Sequence, residues 1–256
     1  STAGKWETKI FSGAEQIWFV NEPIARWHKQ HYPEFSTKIK VVSNGWDPNF
    51  LRQDVLKQNS AEDDSTITFG YLGTVSSKVP IQEFVAGWTL ASDQSDSMKN
   101  AVADIRGYLG FYGTANAKFA AVLAAGQERG ITYSGPVPKN EVSDLYQTWD
   151  VCLLILGAGK YVTSGKVFEY MATGKPIISV HDPGNAASDL LKDYPLWFPV
   201  KNLEPTEVAK VILNVRSRLS EIKEADRETC RSFAHQFRRD VVLKEAVQAI
   251  ADCVGM

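Results

Sequence analysis

The sequence predicts an α/β fold in which a mostly parallel β-sheet is covered by helices on both faces. Short apolar runs at residues 151–156 and 177–180 are continuous and rich in branched side chains, which is typical of strands buried on both faces. Helical patterns of about 10 to 15 residues alternate with such runs along most of the chain. Strands that alternate with helices in this way pair in parallel, because each helix carries the chain back across the sheet.

The first 42 residues contain two pairs of elements. Four elements are predicted there: helices at residues 6–12 and 23–32, and strands at residues 16–20 and 38–42. Asn44, Gly45 and Pro48 then form a strong turn signal. We interpret this turn as a domain hinge, because the alternation of elements restarts after it. Residues 51–64 are polar and are predicted to form a loop with at most one short helix.

A second and longer series of elements begins at residue 66. Strands are predicted at residues 66–72, 131–134, 151–156, 177–180 and 196–200, and helices at residues 81–91, 116–130, 141–149, 207–219 and 229–254. A further strand at residues 101–107 is only weakly indicated, because Gly107 and Gly110 are unfavourable inside a strand.

Composition narrows the class of function. The chain has 256 residues, of which 44% are hydrophobic and 23% charged, and these shares are ordinary for a soluble globular protein. A formal net charge of −2 gives no overall positive field, so nucleic acid is not an expected partner. Cys152, Cys230 and Cys253 are few and far apart, and we predict that they are reduced in a cytoplasmic protein. No apolar run approaches membrane-spanning length, and no signal peptide is recognised.

The segment between the strands at residues 151–156 and 177–180 is the most informative part of the chain. It opens with Ser164 and Gly165, continues with good helix formers and stops at Gly-Lys-Pro. In a parallel sheet, the first turn of such a helix faces the ligand crevice, and its unpaired N–H groups favour an anion. Lys166 adds a positive charge, and Glu169 lies one turn further along the same face.

The same residues also fit an ordinary structural role. Ser164 or Thr163 would then be a simple helix N-cap, and Glu169 would be a solvated carboxylate that pairs with Lys166 or Lys175. From the turn alone, this role is the more common one.

Five segments together resemble the nucleotide-sugar glycosyltransferases of the GT-B fold, in particular the group that builds polysaccharides and lipid-linked glycans. They lie at residues 38–47, 69–73, 131–138, 150–154 and 164–176 and follow the order and spacing of that family. The most specific reads Ser-Gly-Lys-Val-Phe-Glu-Tyr-Met-Ala-Thr-Gly-Lys-Pro, at residues 164–176. The resemblance covers roughly residues 10–251.

The resemblance implies two Rossmann-like domains that face each other across a cleft, the second of which binds the nucleotide-sugar donor. Residues 1–45 are then expected to be a remnant of the N-terminal acceptor domain, and residues 46–235 the donor-binding domain. Residues 236–256 would form a C-terminal helix that packs back toward the N-terminal part. The acceptor-side residues of the family would lie in a part that is not present here.

The resemblance also assigns roles to individual residues. The donor phosphates are expected to contact Gly73, Thr74, Lys78, Ser164, Gly165 and Lys166. Glu169 is expected to bind the ribose, and Pro136 and Val137 are expected to lie beside the base. Tyr161 stands where many relatives have an acidic residue that contacts the donor sugar. It is a candidate sugar contact, and the catalytic residue is not identified. Taken alone, the loop at Gly73 is equally well interpreted as a strand-to-helix turn, and the prolines as stiffeners of their loop.

We therefore predict transfer of a sugar from a nucleoside-diphosphate sugar to a hydroxyl acceptor, either a glycan or a lipid-linked molecule. The donor is a substrate, and no further cofactor is expected. No metal is expected, because Asp-x-Asp is absent from the sequence and only His28 and His31 are closely spaced. The chain alone is expected to be inactive without the acceptor domain. The predicted location is the cytoplasm, with association at the inner face of the membrane through the missing domain left open.

Two alternatives remain at this point. One is a non-catalytic module that binds nucleotide sugars, which the short N-terminal part and Tyr161 favour. The other is a nucleotide-sugar epimerase on the same fold, which would need acidic and histidine groups around the sugar.

Overall fold

The computed structural model describes most of the chain. The described residues are 2–49, 51, 66–110, 116–157, 159, 161 and 163–254, without the side chains of residues 253 and 254. Apart from Leu51, the predicted loop at residues 51–64 falls outside them, as do Ala158 and the Cys253 side chain.

The N-terminal unit is a small α/β layer with its own core. Its elements are α1 (Thr2–Gly13), β1 (Ile17–Phe19), α2 (Glu22–His31) and β2 (Ile39–Val41). The two strands pair in parallel, with Ile17 opposite Ile39. Both of these residues are buried with Phe11 and Ala25, so the apolar side chains that define the unit are also its core.

The main sheet contains six parallel strands. They are β3 (Ile67–Leu72), β4 (Ala101–Arg106), β5 (Ile131–Tyr133), β6 (Val151–Ile155), β7 (Ile177–Val180) and β8 (Trp197–Pro199), in the order β5-β4-β3-β6-β7-β8. All residues of β6 and β7 are buried, as their continuous apolar runs predict. The predicted fold class, a parallel sheet with helices on both faces, is confirmed.

Helices connect and cover these strands. They are α3 (Ile81–Gln94), α4 (Ala117–Ala125), α5 (Val142–Gln147), α6 (Lys166–Thr173), α7 (Ala186–Leu191), α8 (Pro205–Arg218), α9 (Glu224–His235), α10 (Arg239–Val242) and α11 (Lys244–Val254). Helix α3 packs on α8, and α6 packs on α9. In the part of the chain that the structure describes, none of these helices is both long enough and apolar enough to cross a membrane.

The order of the strands locates the ligand crevice. The chain runs outward from β3 to β5, and then returns to place β6 on the other side of β3. Connections therefore leave the carboxyl ends of β3 and β6 in opposite directions. In parallel α/β sheets such a reversal opens a crevice at that edge, and ligands bind there.

Strand β4 is better formed than the sequence indicates. It spans Ala101–Arg106 and pairs with β3 along its whole length. The glycines follow the strand rather than interrupt it. Gly107 has a φ of +119°, and a Cβ there would lie 1.9 Å from the carbonyl oxygen of Gly73. Gly107 is therefore required by the close approach of two loops.

The predicted helix at residues 229–254 is wrong. The structure has three helices there: α9 begins earlier, at Glu224, and the chain turns after His235 before α10 and α11. The turn is set by contacts with Trp46, whose N–H donates to the Phe237 carbonyl at 3.0 Å and whose carbonyl accepts from Arg239 N–H at 2.9 Å. Such long-range bonds leave no local signal in the sequence.

Helix α7 was not predicted. It has only six residues, and Asn185 caps it by accepting a hydrogen bond from the Ala187 N–H at 2.9 Å. A helix this short shows too few turns for its apolar periodicity to be recognised.

Gly70 on β3 allows the Trp149 indole to lie directly on the backbone of the strand. A Cβ at this position would lie 1.7 Å from the indole Cδ2. The indole is fully buried and donates to Asp104 Oδ2 at 3.0 Å, so it has little freedom to move. We expect Gly70→Ala to lower the free energy of unfolding by about 1–3 kcal/mol, the usual cost of overpacking. Urea unfolding followed by circular dichroism measures this change.

Gly13→Ala is the matched control. A Cβ at Gly13, the last residue of α1, would have no heavy atom within 4 Å. Alanine also has the higher helix propensity, so we expect no loss of stability. Equal effects of the two substitutions would contradict the assigned role of Gly70.

Candidate functional site

A cleft of about 400 Å³ lies at the carboxyl edge of the main sheet. Its lining comes from the loops after β3, β4 and β5, the first turn of α6, the hinge, and α10. The lining residues are Gly45, Trp46, Asp47, Leu72, Gly73, Thr74, Gly107, Tyr108, Pro136, Val137, Lys139, Val142, Lys166, Glu169 and Arg239. This volume is within the range of about 300–1,000 Å³ that is typical of small-molecule sites.

Backbone hydrogen bonds join the loops that form the floor of the cleft. Gly73 N–H donates to the Arg106 carbonyl at 3.0 Å, and Gly107 N–H donates to the Gly135 carbonyl at 2.8 Å. The Tyr133 hydroxyl adds a bond to the Gly107 carbonyl at 2.9 Å. Because each loop bonds to the next, the floor is set by the sheet register and not by side-chain choice.

The amino end of α6 is open. The helix begins at Lys166 with Gly165 at the N-cap position, and no side chain caps it in the usual way. Ser164 Oγ accepts a hydrogen bond from Lys166 N–H at 3.3 Å, whereas Thr163 Oγ1 is bound to Asn21. A Cβ at Gly165 would have nothing within 4 Å. The N–H groups of Val167 and Phe168 already donate to the carbonyls of Ser164 and Gly165. The Gly165 N–H and the positive end of the helix dipole are therefore what this end offers to an anion.

A smaller cavity of about 140 Å³ continues the cleft between β3 and β6. Four of the predicted phosphate-binding residues line it: Gly73, Thr74, Ser164 and Lys166. The two loops that the sequence assigns to the phosphates therefore meet at the point where the strand order reverses.

Glu169 and Lys166 form an ion pair inside the cleft. Lys166 Nζ lies 2.7 Å from Glu169 Oε2, and the two side chains are 29% and 20% exposed. The Tyr146 hydroxyl donates to the same carboxylate oxygen. Burial, helped by Tyr170 and Glu169, raises the pKa of Tyr146 well above its ordinary value, so this hydroxyl keeps its proton. Glu169 therefore has the predicted pairing with Lys166, and it also faces the cleft.

Lys175 does not pair with Glu169. It is 2% exposed, and its ammonium group donates to the carbonyls of Tyr146, Gln147 and Trp149 at the carboxyl end of α5. Burial lowers its pKa to about 8. The lysine thus closes the end of α5 and fixes the backbone that carries Tyr146.

Two tyrosines of the site were missed by the sequence analysis. Besides Tyr146, Tyr170 accepts a hydrogen bond from Leu72 N–H at 3.0 Å, at the carboxyl end of β3. Both lie within predicted helices, and their apolar rings are indistinguishable there from ordinary core residues. The nearest sequence signal is the position of Tyr170 directly after Glu169.

Three predicted site residues, Lys78, Tyr161 and Gly165, do not line either cavity. The side chain of Lys78 is exposed, and its Cβ would be 2.9 Å from a Cβ at Gly157. Tyr161 is 39% exposed, and its carbonyl accepts a hydrogen bond from Asn21 at 2.7 Å. The remaining predicted residues, Gly73, Thr74, Pro136, Val137, Ser164, Lys166 and Glu169, line one or both cavities, while Gly165 lies beside them.

The opposite wall of the cleft comes from the hinge and the C-terminal segment. Asp47 Oδ2 accepts from Arg239 Nη1 at 3.1 Å, and both residues line the cleft with Trp46. Arg239 was not predicted, because only the turn after α9 brings it to the hinge. The prediction that residues 236–256 pack toward the N-terminal part is compatible with these contacts. The domain boundaries after residues 45 and 235 remain predictions.

Among the residues that the structure describes, no group of three or more histidines, cysteines or carboxylates is arranged to hold an ion.

Solved structures with the same fold include glycosyltransferases and a sucrose-phosphate synthase. The chain aligns with a glycosyltransferase from Rickettsia africae over 94% of its length and 64% of that protein, at 12% identity and a TM-score of 0.75. It aligns with sucrose-phosphate synthase from Thermosynechococcus elongatus over 97% and 61%, at 15% identity and a TM-score of 0.72. It aligns with HepE from Anabaena, in complex with UDP and glucose, over 93% of its length and 63% of that protein, at 14% identity and a TM-score of 0.65.

No protein-family model matches the sequence, and no curated protein matches it. The structural likeness establishes the fold as the Rossmann-like α/β architecture of GT-B proteins. The chain spans less than two thirds of each of these three structures.

The pKa of Lys175 provides a test of its buried position. Lysine binds its proton up to pH 10.5 in the unfolded chain, but only to about pH 8 in the folded one. Between these values the unfolded state binds more protons, so the contribution of Lys175 to stability rises with pH. We expect the unfolding free energy of the wild type, relative to Lys175→Met, to increase by up to about 1.4 kcal/mol per pH unit in this window. Urea titrations at several pH values measure it, and a difference that stays constant would contradict the buried amine.

Proposed function

We propose that this chain is the donor-binding portion of a glycosyltransferase. It would bind a nucleoside-diphosphate sugar, and the sugar would be transferred to a hydroxyl acceptor. The observation that carries the proposal is the meeting of the open amino end of α6 with the loop after β3, at the point where the strand order reverses. The likeness to structures that include HepE with UDP and glucose supports the same class of ligand.

The residues divide the donor between them. The N–H of Gly165 and the ammonium of Lys166 would hold the diphosphate and offset the charge that develops on it as the sugar leaves. Gly73 and Thr74 would approach the same phosphates from β3, together with Lys78 on that loop. Glu169 would accept hydrogen bonds from the ribose diol, and the loop at Pro136 and Val137 would hold the base.

Several parts of the proposal concern molecules beyond the donor. The acceptor is proposed to be a glycan or a lipid-linked molecule, as in polysaccharide synthesis. Neither a metal nor a further cofactor is proposed to take part, and the location is proposed to be the cytoplasm or the inner face of a membrane. Tyr161 remains a proposed sugar contact.

The proposal is tested first by measuring nucleotide binding and then by following what happens to the bound sugar. Calorimetry with UDP, GDP, ADP and dTDP, and with their sugar conjugates, should detect binding of the nucleotides that carry one particular base. Nuclear magnetic resonance of the bound sugar nucleotide without an acceptor then separates the classes. An epimerase would change the sugar, whereas a transferase or a binding module would leave it intact. Transfer to an added acceptor, with the neighbouring part of a GT-B protein supplied, distinguishes these last two.

Glu169→Ala should weaken binding of the preferred nucleoside diphosphate by about 1–3 kcal/mol, because a charged hydrogen bond to the ribose is lost. The 2′,3′-dideoxy form of the same nucleotide lacks the diol, so the substitution should have almost no effect on its affinity. This comparison separates a ribose contact from a general disturbance of Lys166, which pairs with Glu169.

Glu221→Ala is the control, since Glu221 is exposed on the short turn after α8. It should change neither affinity. Equal losses for the normal and the dideoxy nucleotide in Glu169→Ala would refute the ribose assignment, and an absence of binding to all four bases would refute the proposed function.

A further inference from the structure

Two buried asparagines bind the connection between β6 and α6. Asn21 belongs to the N-terminal unit, at the start of α2, and is 7% exposed. Asn185 precedes α7 in the main unit and is 4% exposed. They are far apart in sequence, and neither was singled out by the sequence analysis.

Each asparagine is fixed by the helix that it caps. Asn21 Oδ1 accepts from Ile24 N–H at 3.0 Å, and Asn185 Oδ1 accepts from Ala187 N–H at 2.9 Å. Because the helix N–H groups need an acceptor, the amide oxygen must face the helix. The NH₂ group of each side chain therefore points away from its own helix.

Both NH₂ groups bind the same stretch of chain. Asn21 Nδ2 donates to the Tyr161 carbonyl at 2.7 Å and to Thr163 Oγ1 at 3.0 Å. Asn185 Nδ2 donates to the Gly159 carbonyl at 3.3 Å. These three acceptors precede Ser164 and the open amino end of α6. With buried donors, each bond is costly to lose.

We infer that Asn21 and Asn185 are positioning residues, which set the backbone that leads into the amino end of α6. The bonds themselves are independent of any ligand, whereas their effect on a nucleoside diphosphate rests on the proposed function. The N-terminal unit would therefore act on the donor site indirectly, through one amide group that positions the backbone before α6.

Asparagine-to-aspartate substitutions isolate this role. A carboxylate has the same shape, still accepts the hydrogen bond of the helix N–H, and suits a helix N-terminus by its charge. It has no N–H to donate, and its second oxygen would face the carbonyl of Tyr161 or Gly159. Asn21→Asp and Asn185→Asp therefore keep the helix cap. They replace each bond to the connection with two oxygens that face each other.

Asn116→Asp is the matched control. Asn116 caps α4 by accepting from Lys118 N–H at 3.0 Å, and it is exposed. Within the described part of the chain, its side-chain NH₂ group makes no hydrogen bond to another loop. The substitution therefore makes the same chemical change at a helix cap without the effect that we infer.

The experiment measures the carbonyl ¹³C chemical shifts of Gly159 and Tyr161 in the ligand-free protein, and the calorimetric affinity for whichever of UDP, GDP, ADP and dTDP the wild type binds best. Asn185→Asp should move the Gly159 resonance upfield, and Asn21→Asp the Tyr161 resonance, because each carbonyl loses its hydrogen-bond donor. Each substitution should also weaken binding of that nucleotide by about threefold to tenfold, the effect of losing about one hydrogen bond. Asn116→Asp should change neither quantity. All three variants should remain folded, and the loss of a buried bond should lower the thermal midpoints of Asn21→Asp and Asn185→Asp relative to Asn116→Asp.

The outcomes separate the two proposals. Carbonyl shifts like those of the control in both variants overturn the inference, and moved resonances with unchanged nucleotide affinity overturn the positioning role. If the wild type binds no nucleoside diphosphate, the proposed function fails, while the carbonyl shifts still decide on the asparagine bonds. Should Asn21→Asp unfold, Asn21→Ser keeps a capping hydroxyl without the amide, and it must move the Tyr161 resonance for the inference to stand.

Discussion

The amino end of α6 depends on a lysine that never reaches the cleft. Lys175 donates to three carbonyls at the end of α5 and so fixes the backbone of Tyr146. The Tyr146 hydroxyl in turn holds the carboxylate of Glu169, which pairs with Lys166. An ammonium group can be buried only when such partners surround it, because its desolvation is costly. The positions of Lys166 and Glu169 in the cleft are therefore fixed by buried residues that do not line it.

The other half of the site depends on backbone approach. At Gly107 a side chain would collide with the carbonyl of Gly73, so the loops after β3 and β4 can meet only through glycine. Once they meet, N–H and carbonyl groups join them to the loop at Gly135. A ligand on this surface would meet main-chain N–H and carbonyl groups, and the sheet register determines the positions of these groups.

The sequence was sufficient for the parallel sheet and for part of the cleft lining, because both follow from local patterns. Continuous apolar runs define β6 and β7, and the Ser-Gly opening with Glu169 one turn later places the charged residues on one helix face. It was not sufficient where long-range contacts decide. Trp46 breaks the predicted C-terminal helix and thereby brings Arg239 to the cleft. Likewise, nothing local distinguishes Lys175 as a buried group from a surface lysine.

The charge pattern of the cleft explains how phosphate and ribose recognition would be linked. Without a ligand, Glu169 neutralises Lys166 at 2.7 Å, so the cation is already oriented and partly desolvated. An arriving diphosphate would share that cation with the carboxylate rather than recruit a mobile side chain, which avoids the cost of ordering a lysine. The carboxylate in turn is held in place by the cation and by the Tyr146 hydroxyl, so it is already positioned to accept hydrogen bonds from a diol. Lys166 and Glu169 therefore act as one unit, and neither would recognise its part of the donor as well alone.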